Sequence, residues 1–361
     1  MKFKKGQNII IISGDELTTK NLTGIPRYLT EILYLIDQSP DINEKYEIQL
    51  CYPEEKKVNI TNLKNIKLVS LKTDGKPFRS KILVEYAKAH KAVLCLFSPS
   101  ICRYCRTIMV IHDIRPLEKM SKDGFKYKIF NYIIFISLWL YPQCQIVTVS
   151  QYQKERIKNI LHSKKRPIEV IGNGWEHILN IKCDYNILKK YHQLENQDYF
   201  LAIGSVAKHK NYEWIFQIAK KYPKQLFVIA GNISQVDWNY DNSKLQIQNV
   251  IFTGYITDGE CKALIMKCKA LLHPSKYEGF GIPPLEALAL GKRIIISNAT
   301  CLPEIYKESA VYFDPDDYDF DLEDAMRKKV TGRNNTLIEH SWKNSSILWI
   351  KLIEKYIRGI K

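Results

Sequence analysis

Glu278 and Glu286 stand eight positions apart in the run Pro274-Ser275-Lys276-Tyr277-Glu278-Gly279-Phe280-Gly281-Ile282-Pro283-Pro284-Leu285-Glu286-Ala287. An apolar stretch, 270–272, precedes it, and a helix-like segment, 285–290, runs on until Gly291 stops it. The pattern predicts a strand that ends in a glycine-rich loop and then opens a helix. Backbone N–H groups freed by Gly279 and Gly281, with the helix N-terminus, can face a pyrophosphate. Glu278 in the loop and Glu286 one turn into the helix can accept hydrogen bonds from sugar hydroxyls on either side. Two glutamates at this spacing are ordinarily a solvated surface pair, but the glycines and prolines between them set this pair apart. The chemistry they fit is the holding of a sugar nucleotide.

Elements must exist to position such a loop, and the chain is large enough to supply them. Its 361 residues exceed one ordinary core, so two domains are expected. A hydrophobic share of 45% with 25% charged residues is that of a globular chain. Lys and Arg number 54 against 38 Asp and Glu, and the surplus of 16 positive charges suits an anionic partner. The lysines are spread along the chain and no nucleic-acid-binding motif accompanies them, which argues against nucleic acid. Nine cysteines are scattered without a repeated spacing. Cys102 and Cys105 make a single C-x-x-C with no second pair, so a reduced turn is expected rather than a zinc or disulfide framework. Met1-Lys2-Phe3-Lys4-Lys5 carries no cleavage pattern of a secretory signal, and a cytosolic, reduced chain is expected.

Apolar runs alternate with helical stretches in two series. The first begins with Asn8-Ile9-Ile10-Ile11-Ile12-Ser13-Gly14, which reads as a buried parallel strand. A helix follows from Thr23 to about Ile36, and further runs lie at 47–52, 66–71, 92–97, 107–111 and 145–149. The second series has strands at 199–204, 226–231, 250–254, 270–273 and 293–297, with helices at 211–221, 258–268 and 284–290 between them. Alternation of this kind is the mark of doubly wound α/β sheets, joined here near 175–190. Residues 346–358 read as a C-terminal helix.

The segment 130–141 is strongly apolar but about half the ~20 residues of a spanning helix, and Pro142 ends it. One reading is a helix packed in the first domain. The other is a helix resting on an anionic bilayer, with Lys122, Lys126 and Lys128 just before its interleaved aromatics.

The Glu278-to-Glu286 run resembles the Glu-x7-Glu motif of the retaining glycosyltransferases of family four. Similar segments extend over most of the chain. Thr23-Gly24-Ile25-Pro26-Arg27-Tyr28 is similar to the family's glycine loop after the first strand. Ile111-His112-Asp113 resembles its His-Asp at a strand end. Thr148-Val149-Ser150 and Gly172-Asn173-Gly174 resemble the segments before the linker. Gly204-Ser205 with Lys208-His209-Lys210-Asn211 resembles the opening of the donor domain, and Leu302-Pro303-Glu304 the turn that closes the motif region. The resemblance implies an α/β fold of the GT-B type, two Rossmann-like doubly wound domains facing each other across a cleft. Residues 1–178 would bind acceptor, 179–345 would bind the nucleotide sugar, and 346–361 would form a helix returning to the first domain.

The same resemblance assigns roles. Transfer breaks a bond between C1 of a sugar and a diphosphate, and a cation must meet the charge of the leaving group. No Asp-x-Asp stands at a strand end, and Asp314-Pro315-Asp316-Asp317 reads as a solvated turn. The expected cation is therefore Lys210, a point charge near the pyrophosphate. Ser205 stands where the family often has arginine: either Lys208 or His209 compensates, with Arg27 another candidate, or the chain resembles the subgroup that reads Gly-Ser-x-x-x-x-Lys-Asn. Glu278 would meet the transferred sugar and Glu286 the ribose. His112 would face the sugar, and Asp113 would orient its loop. Gly24, Arg27, Ser205, Gly279, Phe280, Gly281 and Ile282 complete the implied donor site.

The implied activity is a metal-independent hexosyl transfer with retention and no enzymic nucleophile, the leaving phosphate helping to deprotonate the acceptor. The pair is thus not read as a glycosidase's two carboxylates. No cofactor is expected beyond the nucleotide-diphosphate sugar, with mannose weakly preferred. The acceptor is expected to be a saccharide, polyprenyl-diphosphate-linked at an anionic cytoplasmic membrane face, in capsule or O-antigen assembly. Alternatives are a soluble sugar or sugar-phosphate acceptor, or a non-catalytic partner of another transferase.

Overall fold

A computed structural model describes residues 8–19, 24–117, 125–163, 166–205, 207–231 and 247–359. Thr23 and Lys122, named above, lie outside that set. The chain divides into two compact units, one of residues up to Asn173 together with those from Trp342 onward, the other Gly174–Ser341. The divisions fall slightly before the sequence-based boundaries at 178 and 345.

Among its described residues the first unit holds a seven-stranded parallel sheet. Its strands are β1 (Asn8–Ser13), β2 (Tyr46–Pro53), β3 (Lys67–Leu71), β4 (Val93–Leu96), β5 (Thr107–Ile111), β6 (Gln145–Thr148) and β7 (Ile168–Val170), in the order β3-β2-β1-β4-β5-β6-β7. The second holds a six-stranded parallel sheet of β8 (Tyr199–Ile203), β9 (Leu226–Ala230), β10 (Val250–Gly254), β11 (Ala270–His273), β12 (Arg293–Ser297) and β13 (Val311–Phe313), ordered β10-β9-β8-β11-β12-β13. Parallel strands covered on both faces read as unbroken apolar runs, which is why Ile10, Ile11 and Ile12 are all buried. The edge strands β7 and β13 escaped the sequence reading. Each has three residues, too few to leave a period.

The helix Trp342–Gly359 belongs to the first unit. Trp349 is fully buried, its indole stacks on Phe97 at 4.9 Å, and its Nε1 donates to the Tyr28 hydroxyl at 2.8 Å. That hydroxyl in turn donates to the Ile171 carbonyl at 3.0 Å. Truncating so large a buried ring ordinarily costs about 3–5 kcal/mol. Most of the 130–141 segment lies within a longer helix, Phe125–Leu140, whose buried residues among those described are Ile134, Phe135, Ser137 and Leu138. Tyr127, Ile129, Phe130, Tyr132, Ile133, Ile136, Trp139 and Leu140 are exposed, Trp139 to 69%. The helix does pack on the core of the first unit, but only through a narrow stripe of Ile134, Phe135 and Leu138, and the rest faces outward. No described helix is long and apolar enough to cross a membrane.

Candidate active site

In a doubly wound sheet the chain leaves one strand toward one side and its neighbour toward the other, opening a crevice at their carboxyl ends. The second sheet reverses between β8 and β11. Lys210 follows β8 at the end of the short turn Lys208–Lys210, and Glu278 follows β11. A backbone bond from the Lys276 amide to the His209 carbonyl, 2.7 Å, joins the two loops. Lys210 Nζ then donates to Glu278 Oε1 at 2.7 Å.

His273, the last residue of β11 and 2% exposed, meets the same oxygen with Nε2 at 2.9 Å. Ser275 Oγ lies 3.3 Å from that nitrogen, and the Glu278 amide donates to Thr300 Oγ1 at 3.2 Å. Burial by itself would raise the Glu278 carboxyl. The Lys210 ammonium and the His273 imidazole outweigh burial and hold it well below the usual carboxylate range. Burial lowers His273, against the upward pull of Glu278, and Lys210 adds to the lowering. The resulting unit is an ionised carboxylate beside an ammonium and a neutral imidazole.

Gly281 makes the turn into the helix Ile282–Ala289 at φ 90°, in the left-handed region. That conformation favours glycine, and a Cβ there would also stand 2.9 Å from Leu302 Cδ2, which would have to shift. Tyr306 donates its hydroxyl to the Gly281 carbonyl. Phe280 is buried, its ring edge-on to His340 at 5.4 Å, so the ring itself is not free for a ligand and its expected donor contact would come from the backbone. Glu286 accepts from His177 Nε2 at 2.8 Å. Ser205 is exposed after Gly204, and Ile282 is half-buried in the first turn of the helix. The Asp314–Asp317 segment is a turn whose Asp316 pairs with Lys276.

The structure thus brings together Lys210, Glu278 and the Gly279–Ile282 loop, with Glu286 on the helix that follows. His273 and His177 were missed. The signal for His273 was a histidine closing a buried strand just before the motif; His177, in a four-residue helix after the linker, left none.

In the first unit the sheet reverses between β1 and β4. Gly24 opens the helix Gly24–Asp37, is exposed, and has open space where a Cβ would stand. Arg27 is buried one turn on, 3.9 Å from Glu31. His112 follows β5, edge-on to Tyr28 at 5.1 Å, and its Nε2 donates to the Phe97 carbonyl at 3.0 Å. Burial pushes His112 down to about 4 against that bond. Asp113 Oδ1 accepts from the Arg115 amide at 3.1 Å, turning the loop.

Sequence reasoning also passed over a cluster at the ends of β1 and β4. Arg79 Nε lies 3.1 Å from Asp15 Oδ2, and Ser13 Oγ donates to Glu16 Oε2 at 3.1 Å. Glu16, 7% exposed, is raised to about 8 by burial and by Asp15, against Arg79 and Ser98. The adjacent acids Asp15 and Glu16 just past the first strand were the available signal.

Two doubly wound parallel-sheet units with a site at the carboxyl edge define an α/β fold of the GT-B type. Residues 185–337, which lie within the second unit, match the family model described as "Glycosyl transferases group 1". Over 246 residues the chain is 29% identical to the O-antigen chain mannosyltransferase RfbU of Salmonella typhimurium, covering 66% of this chain and 64% of that protein. Over 250 residues it is 27% identical to the serotype-specific mannosyltransferase WbdA of Escherichia coli, covering 63% of this chain and 29% of that one. Each match thus spans less than two thirds of the relative. The sucrose-phosphate synthase of Thermosynechococcus elongatus superposes with a TM-score of 0.72 at 13% identity, over 98% of this chain and 100% of that one. That last likeness concerns the fold alone.

Proposed function

We propose that this protein is a glycosyltransferase that moves a hexose, mannose by preference, from a nucleotide-diphosphate sugar to a saccharide acceptor during bacterial surface-polysaccharide assembly. The observation that carries the reading is the Lys210–Glu278 pair, 2.7 Å apart where the second sheet reverses. The names of RfbU and WbdA support the preference for mannose.

Lys210 has three N–H donors and gives one to Glu278, leaving others for a diphosphate oxygen. In the proposed step the donor's C1–O bond breaks, the acceptor oxygen bonds to C1, and the acceptor's proton passes to the leaving phosphate. Lys210 offsets the charge that grows on that phosphate. Glu278, ionised, accepts from the transferred sugar, Glu286 from the ribose, and neutral His112 is assigned to the sugar's hydroxyls. The configuration at C1 is retained and no metal is required.

The acceptor is proposed to be lipid-linked at an anionic cytoplasmic membrane face. The support is the outward apolar face of Phe125–Leu140, with Lys126 exposed near its start.

A thermal-shift panel of GDP-, UDP- and dTDP-sugars with EDTA present tests the donor reading, because a ligand of the native state raises its melting temperature. One nucleotide family should stabilise the parent but not Lys210→Ala or Glu286→Ala. If no sugar nucleotide shifts the parent, with or without added metal, the donor site is abandoned. Co-sedimentation with phosphatidylglycerol vesicles tests the membrane part. Ile136→Ser/Trp139→Ser should remain in solution while the parent pellets, and a parent that stays in solution at low salt overturns it.

A further inference from the structure

The amino-terminal edge of the second sheet, the end away from Glu278, carries a cavity of about 730 Å³ whose wall includes Lys269, Lys292, Arg293 and Arg333 over an apolar floor of Leu288 and Met326. Lys269 immediately precedes β11 and His273 ends it, so at ~3.3 Å per residue the two edges are about 13 Å apart. Lys292 and Arg293 likewise stand at the start of β12. The cavity is separate from the site at the carboxyl edge.

Its charge is one-sided. The four side chains are cations, and no Asp or Glu lines the cavity. Each is held by an uncharged acceptor. Lys269 Nζ meets Gln225 Oε1 at 3.3 Å and the Phe200 ring at 5.4 Å, and Lys292 Nζ meets the Cys268 carbonyl at 3.2 Å. Arg293 donates to the Ala325 and Lys328 carbonyls, and Arg333 to those of Leu288 and Ala289. Among the described residues none of the four pairs with a carboxylate. Neighbouring lysines do: Lys307 with Glu339 at 2.5 Å, and Lys328 with Asp324 at 3.2 Å. Lysine and arginine carry three and five donors, so these contacts leave most of them unused. Four like charges fixed on one wall repel one another unless an anion enters.

We infer that this cavity is a second anion site and takes a soluble organic phosphate. Its volume lies in the range of small-ligand pockets, and the apolar floor suits the carbon skeleton of a phosphate ester rather than a bare ion. The ligand would rest against the helix that carries Glu286, because Arg333 holds that helix's carboxyl end.

Calorimetric titration of full-length Lys210→Ala with glucose 6-phosphate and with inorganic pyrophosphate tests the site with the proposed donor site disabled. Both should bind saturably, glucose 6-phosphate the tighter. Adding Lys292→Gln and Arg333→Gln should weaken binding at least tenfold. Lys269→Gln, which leaves the helix end intact, should weaken it several-fold with the melting temperature unchanged. The same Lys269→Gln comparison in the otherwise unaltered chain keeps the test open if Lys210→Ala does not fold. Absence of saturable binding, or binding indifferent to all three substitutions, overturns the inference. Binding to phosphatidylglycerol vesicles should be the same with and without Lys292→Gln/Arg333→Gln. A fall would overturn the soluble assignment in favour of a lipid phosphate.

Discussion

His177 Nε2 donates to Glu286 Oε1 at 2.8 Å across 109 residues of chain. The imidazole is buried and the carboxylate nearly so, which fixes the carboxylate's rotation about its own side chain. One oxygen is held by the histidine, so, in the proposed role of Glu286, the angle from which a ribose hydroxyl would approach is set before ligand arrives. Pre-set geometry of this kind lowers the cost of binding.

Losing that bond should act on binding more than on turnover. A buried hydrogen bond to a charged group contributes about 1.5–3 kcal/mol, so His177→Ala should raise KM for the nucleotide sugar by roughly 10-fold to 100-fold. The value of kcat should change little. Steady-state kinetics decide it: an unchanged KM would mean that Glu286 needs no such restraint.

Lys210 should behave oppositely. Removing a cation that meets developing charge typically costs ~10²–10³ in kcat. Lys210→Ala should also lower the melting temperature, since it leaves the Glu278 carboxylate buried without its ammonium. Lys210→Arg should recover part of the stability and less of the rate, because a planar fork does not replace a point charge. Single-turnover rates and melting curves separate the two effects.

Acid should destabilise the fold in two stages. His112 and His273 are both depressed in the folded chain, so their contribution is complete above the ordinary histidine value near 6.5 and is lost as pH falls below it, in the case of His112 toward about 4. Glu278 is depressed too, so its share persists to lower pH and goes only as pH passes below the usual carboxylate range. Glu16, raised to about 8, works the other way: its contribution is present in acid and lost as pH rises through about 8. Melting temperatures from pH 3 to 9 should therefore peak between these limits. Glu16→Gln should flatten the alkaline limb, and His112→Asn the upper part of the acid limb. A Glu16→Gln curve parallel to the parent's over the whole span from pH 4.5 to about 8 would contradict the assignment.

Gly231→Ala is expected to be among the most damaging small substitutions. A Cβ at Gly231 would fall 1.8 Å from the Gly204 carbonyl oxygen, so β8 and β9 could not end as they do. A loss of more than about 4 kcal/mol, the exceptional range for one mutation, should appear in denaturant melts. Gly24→Ala, with open space around it, should cost under about 1 kcal/mol by the same measurement.

Much of this molecule could be read from residues in order. Strands buried on both faces must be continuous apolar runs, so β1, β5 and β8 to β12 announced themselves, and with them the doubly wound class. The loop from Glu278 to Glu286 was legible because its chemistry is local: glycines, prolines and carboxylates within one strand-to-helix turn. The three-residue strands β7 and β13 were not, since they exist only through pairing with β6 and β12. Nor did the sequence reveal the partners of the two glutamates. Lys210 reaches Glu278 only because β8 and β11, far apart in sequence, end side by side, and His177 reaches Glu286 across 109 residues of chain, while His273 meets the same Glu278 oxygen from just five residues away. The outward turn of Phe125–Leu140 was likewise a tertiary matter, since its residues are apolar nearly all round and only packing selects the buried stripe. The sequence determined which elements form and where the reactive types stand along them. Folding decided which charges meet, because ionisation and hydrogen bonding depend on distance and burial, and neither is a property of spacing along a chain.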